Sequence, residues 1–263
     1  MKKNRIWELD FLRGLSIILL VFDHLMFYIT MIPQLFANYY SVRNGFVMDL
    51  VNKGYLYWES AIRNIGHVIF VSIFLGLVGI SSTFSHNNTK RGIKIFLVAL
   101  GLTLVTYVLQ VLGIDEVLIL FGILHLIGIG ILCYVLIDKL PCSKLIFLVG
   151  GVSLLLVGLE HNMFFPPYVA HIKDFEDFCE LVVGNIMSGG DSFGLYYISL
   201  IFIGAFLGKT LYENKKSLLP KLDGKWNKPI CCCGRNTLLV YVISPVVSFI
   251  VIIGVCLCLG YRF

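Results

Sequence analysis

The chain has 263 residues, 58% of them hydrophobic and 14% charged, with a mean hydropathy of +0.87 and a formal net charge of +5. That balance excludes a soluble domain and marks an integral membrane protein. The basic residues are scattered over short connections, so a nucleic-acid-binding patch is excluded as well.

Seven apolar segments follow in chain order: 9–32, 65–83, 93–112, 117–137, 145–159, 193–211 and 238–259. Most approach the length an α-helix needs to cross a bilayer. The fifth is short and must borrow flanking residues or tilt less. Alternating short strands are missing, which argues against a β-barrel. The expectation is an all-α fold, a polytopic membrane helix bundle of about seven transmembrane helices, forming a single domain over 1–263. The first segment reads as a retained helix, because it is long, carries Arg13 and His24, and lacks a small-residue cleavage site.

The connections carry their own signals. Residues 33–64 hold Tyr39, Tyr40, Tyr55, Tyr57 and Trp58, which suit an interfacial aromatic belt, or a lid or acceptor platform. Residues 160–192 hold Glu160, Asp174, Glu176, Asp177, Glu180 and Asp191, a solvated loop or an attraction for a cationic acceptor such as an amino sugar. Gly76, Gly79, Gly204 and Gly208 allow close helix approach. Orientation follows from the basic residues. With the N-terminus cytoplasmic, fifteen Lys/Arg fall inside, among them Lys2, Lys3, Arg5, Lys144, Lys209 and Arg235, against five outside. The eight cysteines form no CxxC pair and read as small apolar residues at membrane depth.

The residues able to carry chemistry are the polar ones inside the spans, since the chain has no P-loop, HExxH or GxSxG motif. Arg13 and His24 are eleven residues apart. On a helix that is three turns plus about 20°, with a rise of about 16 Å, so they share one face. An arginine in lipid costs about 2.5–3.5 kcal/mol even on the mildest scale, and such residues usually face a cavity and serve function. Asp10 stands three residues before Arg13 and can pair with it. Arg13 suits a phosphate or carboxylate, because its planar fork donates paired hydrogen bonds. Arg235 and Asn236 open the last segment on the same side and can join Arg13 around an anion. Asp23 points about 100° away from His24, so the two do not pair within this helix. His67 and His125 fall at depths comparable to His24. Their bland role is a hydrogen bond to a neighbouring helix, and nothing in their spacing marks a metal site.

The run RIWELDFLRGLSIILLVFDH at 5–24 resembles the opening of bacterial heparan-α-glucosaminide N-acetyltransferase-like membrane proteins. GISSTFS at 79–85, FGILHLIG at 121–128, GAFLGKTLY at 204–212 and GRNTLLVY at 234–241 are similar to later motifs of that group, in the same order. An arginine followed by a histidine eleven residues on also resembles the wider transmembrane acyltransferase superfamily. The resemblance implies a multi-pass protein of the bacterial cytoplasmic membrane. It implies transfer of an acetyl or related acyl group from cytoplasmic acetyl-CoA to an extracytoplasmic amino sugar or other glycan. His24 is then the catalytic residue, as general base or transient acyl carrier. Asp10, Arg13, Arg235 and Asn236 bind the acyl-CoA cosubstrate, and His125 and Tyr241 are acceptor-side candidates. Homodimers are compatible with the family, though no surface marks one. One departure concerns the acceptor: relatives carry a histidine shortly after the last motif, where this chain has Ser244 and Pro245. The alternative reading is a proton-coupled small-molecule transporter with Arg13 and His24 in its substrate path.

Overall fold

The computed structural model describes residues 6–113 and 117–263. Lys2, Lys3 and Arg5, which contribute to the charge bias and to the opening motif, lie outside the described residues. Among those described, the fold is helical, and the only β pairing is an isolated bridge between Tyr168 and Met187.

The helices in chain order are α1 (Trp7–Thr30), α2 (Ile32–Leu35), α3 (Tyr39–Val42), α4 (Gly45–Glu59), α5 (Ala61–Ser82), α6 (Asn88–Val111), α7 (Ile123–Asp138), α8 (Ser143–Glu160), α9 (Phe175–Val183), α10 (Ile198–Leu211), α11 (Lys228–Arg235) and α12 (Thr237–Cys258). Five of them, α1, α5, α6, α8 and α12, are long and apolar enough to cross a membrane, and two shorter apolar helices cover Ile123–Asp138 and Leu195–Leu211. The seven apolar segments therefore all appear as helices. On α12 the residues Leu239, Ile243, Val246, Ile250 and Val255 are exposed, and α6 exposes Leu97, Leu104 and Val108. Apolar bands of this extent suit lipid and not water.

Three boundaries differ from the sequence reading. The fourth segment begins as helix only at Ile123, because Gly122 takes an extended backbone before it. A Cβ at Gly122 would sit 2.6 Å from Asp191 Oδ2, whose carboxylate accepts from the Ile123 N–H. The fifth segment is longer than its apolar run, reaching Glu160. The 33–64 connection is largely helical. Asn44 caps α4 by accepting from the N–H groups of Phe46 and Val47, and Val47, Val51 and Gly54 form its buried stripe at i, i+4 and i+7.

The chain divides into two compact units, and the division falls within α5. Unit 1 comprises Met1–Phe74 and Ser217–Phe263. In it α1 packs on α4, α11 and α12. Its core joins Ile29, Ile32, Phe36, Tyr39, Val47 and Val51 to Ile252, Cys256 and Tyr261. The crossing of α1 and α11 is backbone on backbone. A Cβ on Gly14 would lie 1.9 Å from the Ile230 carbonyl oxygen, and one on Gly234 would lie 1.8 Å from that of Asp10. A side-chain clamp from the first turn of α1 holds the largely exposed segment before α11. The Glu8 carboxylate accepts from Ser217 Oγ at 2.8 Å and the Leu218 N–H at 2.7 Å, and Trp7 Nε1 donates to the Leu219 carbonyl.

Unit 2 comprises Leu75–Lys216. There α6 packs on α7, and α10 on α7 and α8. The small residues seen in the sequence act here. A Cβ on Gly204 would lie 2.0 Å from the Gly76 carbonyl oxygen, and one on Gly79 would lie 2.0 Å from that of Ile201. The acidic 160–192 connection contains α9, and several of its acids do local structural work. Asp174 caps α9 by accepting from the Asp177 N–H, Asp177 accepts from the Lys173 N–H, and Asp191 sits at the start of α7.

Candidate functional site

Unit 1 holds two polar clusters along α1. The helix runs unbroken from Trp7 to Thr30 without an internal proline, so the Arg13 and His24 positions keep their shared face and their separation of about 16 Å.

The first cluster surrounds Asp10, which is buried and binds two arginines at once. Arg13 donates from Nη1 to Oδ1 at 2.9 Å, and Arg235 donates from Nε to Oδ2 at 3.2 Å. The close α1–α11 crossing at Gly14 and Gly234 brings Arg235, in the last turn of α11, within reach of this carboxylate. One carboxylate against two guanidinium groups leaves a net positive site. Arg235 is 43% exposed, so part of its fork is open to a ligand. Asn236 is not gathered in: its amide donates back to the Cys232 carbonyl of α11 at 3.0 Å.

His24 lies one helical stripe away from Asp23. Its Nδ1 is 2.7 Å from the Leu20 carbonyl oxygen. A carbonyl only accepts, so Nδ1 carries the proton in a neutral ring and Nε2 presents a lone pair. Among the described residues no hydrogen bond reaches Nε2. The ring meets Tyr241 of α12 edge-on, with centroids 6.2 Å apart. Pro245, one turn further along α12, has no N–H to give the Tyr241 carbonyl, which weakens the helix beside that tyrosine.

The second cluster was not foreseen from the sequence. Asp23 is 8% exposed and accepts both arms of the Arg63 fork, Nε to Oδ1 at 2.9 Å and Nη2 to Oδ2 at 2.8 Å. Tyr57 donates its hydroxyl to Oδ1 at 3.0 Å, and His67 Nδ1 stands 3.4 Å from Oδ2. The Arg63 guanidinium also lies 3.7 Å over the Trp58 ring. Burial, then the Asp23 charge and hydrogen bond, push the Tyr57 phenol up to about 12, so it remains a donor across the physiological range. These contacts tie α4 and the first turn of α5 to α1 at the residue preceding His24. The signal available in the sequence was Asp23 itself, a carboxylate at membrane depth that must find a cation.

His125 belongs to unit 2. Its Nδ1 accepts from the Gly122 N–H at 3.2 Å, and Nε2 lies 3.2 Å from Thr103 Oγ1, which donates to the Ile119 carbonyl. Both ring nitrogens are engaged, and the ring stacks on Phe121. That is the structural role open to a membrane histidine. Among the described residues no group of three or more His, Cys, Asp or Glu side chains is arranged to hold a metal ion.

Fold and site together define a multi-pass helical membrane protein with buried, charge-paired residues along its first helix. The chain belongs to the heparan-alpha-glucosaminide N-acetyltransferase catalytic family, whose profile matches residues 36–246. It is therefore a membrane transferase. The matched region contains the motifs at 79–85, 121–128, 204–212 and 234–241, and with them Tyr57, Arg63, Arg235 and Tyr241; it begins beyond Arg13 and His24. The search of curated proteins found no match, and neither did the search of solved structures.

Proposed function

We propose that the protein transfers an acetyl or related acyl group from acyl-CoA, bound from the cytoplasmic side, to an amino sugar or other glycan acceptor on the far side of the membrane. The observation that carries this reading is the 2.7 Å contact of His24 Nδ1 with the Leu20 carbonyl, which leaves Nε2 as the acceptor of a neutral ring, at a position that shares a helix face with Arg13. Family membership supplies the reaction class.

In this scheme the Arg13 and Arg235 guanidinium groups, oriented by Asp10, bind CoA phosphates. The acceptor nitrogen or hydroxyl attacks the thioester carbonyl carbon. His24 Nε2 takes the acceptor proton as the new bond forms, and returns it to the sulfur as the carbon–sulfur bond breaks. Tyr241, edge-on to the imidazole, lines the acceptor side. Asn236, next to Arg235, stays a candidate for the CoA side and His125 for the acceptor side; the hydrogen bonds each makes now are to its own surroundings, Asn236 to the Cys232 carbonyl and His125 to the Gly122 N–H and Thr103. The Asp23–Arg63 pair holds the start of α5, and the Tyr57 hydroxyl holds α4, against α1, which orients His24 through the backbone of its neighbour.

The test is transfer of label from radiolabelled acetyl-CoA to a panel of amino sugars by the purified protein in nanodiscs. Label on a sugar, with CoA thiol released in equal amount, is the expected result. No CoA binding and no transfer to any acceptor would overturn the reading.

A further inference from the structure

Unit 2 has a second polar feature, between the residues that follow α5, the start of α8 and the end of α10. A cavity of about 450 Å³ opens there, within the size range of small-molecule sites. Its lining includes Ser143 and Lys144 from the first turn of α8, Lys209 from the last turn of α10, and Glu213 and Lys215 from the turn that follows. Lys209 is fixed, pairing with Asp138 and donating to Ser143 Oγ at 3.1 Å. Ser143 thereby keeps its own hydroxyl proton to donate. Lys144 is only loosely engaged, 3.8 Å from Glu213 and 47% exposed. Lys215 has a left-handed backbone, φ 51°, and its N–H donates to the Tyr212 carbonyl at 2.9 Å, which turns the chain back over the end of α10.

The charge here does not close on itself. Asp138 offsets Lys209, and the exposed Glu213 is a distant partner for one of the two remaining lysines. Cys142, preceding α8, offers no side-chain cap, so the first N–H groups of an 18-residue helix add to the same positive field. Ammonium groups, a hydroxyl donor and a cavity at the ends of spanning helices fit one ligand chemistry. We propose that this cavity binds a phosphate group, carried either by a soluble phosphate compound or by an anionic phospholipid headgroup. The inference is independent of the acyl-transfer reading: its residues all belong to unit 2, and its readout is binding.

The experiment uses the full chain in nanodiscs of phosphatidylcholine and two probes, inorganic pyrophosphate and dihexanoyl phosphatidate. Affinities are compared in wild type, K144Q/K215Q and E213Q. At least one probe should bind wild type. Its affinity should fall about tenfold in K144Q/K215Q, the loss of charge-assisted contacts, and rise about threefold in E213Q, where the competing carboxylate is gone. Glu213 is 71% exposed, so E213Q tests the cavity without risking the fold, and unchanged melting temperatures verify this. Response of the pyrophosphate arm alone identifies a soluble ligand, of the phosphatidate arm alone a lipid, and of both the phosphate itself. Failure of both probes to bind wild type, or affinities unmoved in both variants, would overturn the proposal.

Discussion

Replacing Asp23 by asparagine tests how firmly the C-terminal half of α1 is held. The carboxylate is 11% exposed in its side chain and accepts two bonds from Arg63, itself 14% exposed, and one from Tyr57. Removing one partner of a buried pair leaves the other charge uncompensated, a loss of about 3–5 kcal/mol. Asparagine keeps one carbonyl oxygen for Tyr57 or Arg63, so D23N should fall near the lower end, about 3 kcal/mol. The assay is reversible unfolding in mixed micelles, followed by tryptophan fluorescence. Trp58 reports directly, because the Arg63 guanidinium stacks 3.7 Å above it. The double variant D23L/R63M removes both charges and should recover to within about 1 kcal/mol of wild type, as apolar replacement of a buried pair commonly does. A D23N variant within about 0.5 kcal/mol of wild type would refute the buried-pair reasoning. So would a double variant no more stable than the single.

Other outcomes follow from the same geometry. Tyr57, raised to about 12, releases its proton later in the folded state than the ordinary 10 of an exposed tyrosine, so the stability it contributes is present below pH 10 and is lost between pH 10 and 12. The difference between phenolate absorbance titrations of wild type and Y57F should therefore show one group titrating near pH 12, and a midpoint near 10 would show the environment is wrong. Gly14→Ala drives a Cβ to 1.9 Å from the Ile230 carbonyl and should cost about 1–3 kcal/mol or more, whereas Gly150→Ala, with nothing within 4 Å, should stabilise α8 by up to about 1 kcal/mol. Equal effects in the two melts would count against the α1–α11 contact. Arg13→Gln should raise KM for acetyl-CoA about tenfold or more with a smaller change in kcat, and an unchanged KM would remove Arg13 from the CoA site.

The fold was legible in the sequence where a local pattern determines the structure. Seven apolar runs became helices because length and hydropathy alone decide that in lipid. The Asp10–Arg13 pair, three residues apart, follows from helix geometry. Helix α4 was less visible, since Val47, Val51 and Gly54 carry its buried stripe while Asp49, Asn52 and Lys53 interrupt the apolar run between them. The Asp23 cluster was not legible at all in its partners. Tyr57 and Arg63 are 34 and 40 residues away, in a connection that reads as an aromatic belt, and only tertiary packing of α4 and α5 on α1 brings them to the carboxylate. Glu8 shows the same limit: its two partners are Ser217 and Leu218, and no local periodicity connects them to α1. Asn236, adjacent to Arg235, donates its side-chain amide to the carbonyl of Cys232, a local contact within one turn that its neighbour's identity does not indicate.

The central claim is that His24 Nε2 handles the proton in acyl transfer. Its most direct measurement is kcat for acetyl transfer by His24→Ala, assayed beside wild type under saturating acetyl-CoA and the best acceptor, with folding checked by melting temperature. Loss of a positioned general base predicts a fall of about 10²–10⁴-fold in kcat, with acetyl-CoA affinity retained through Arg13 and Arg235. Transfer undiminished in His24→Ala would contradict the claim and move the chemistry to another residue.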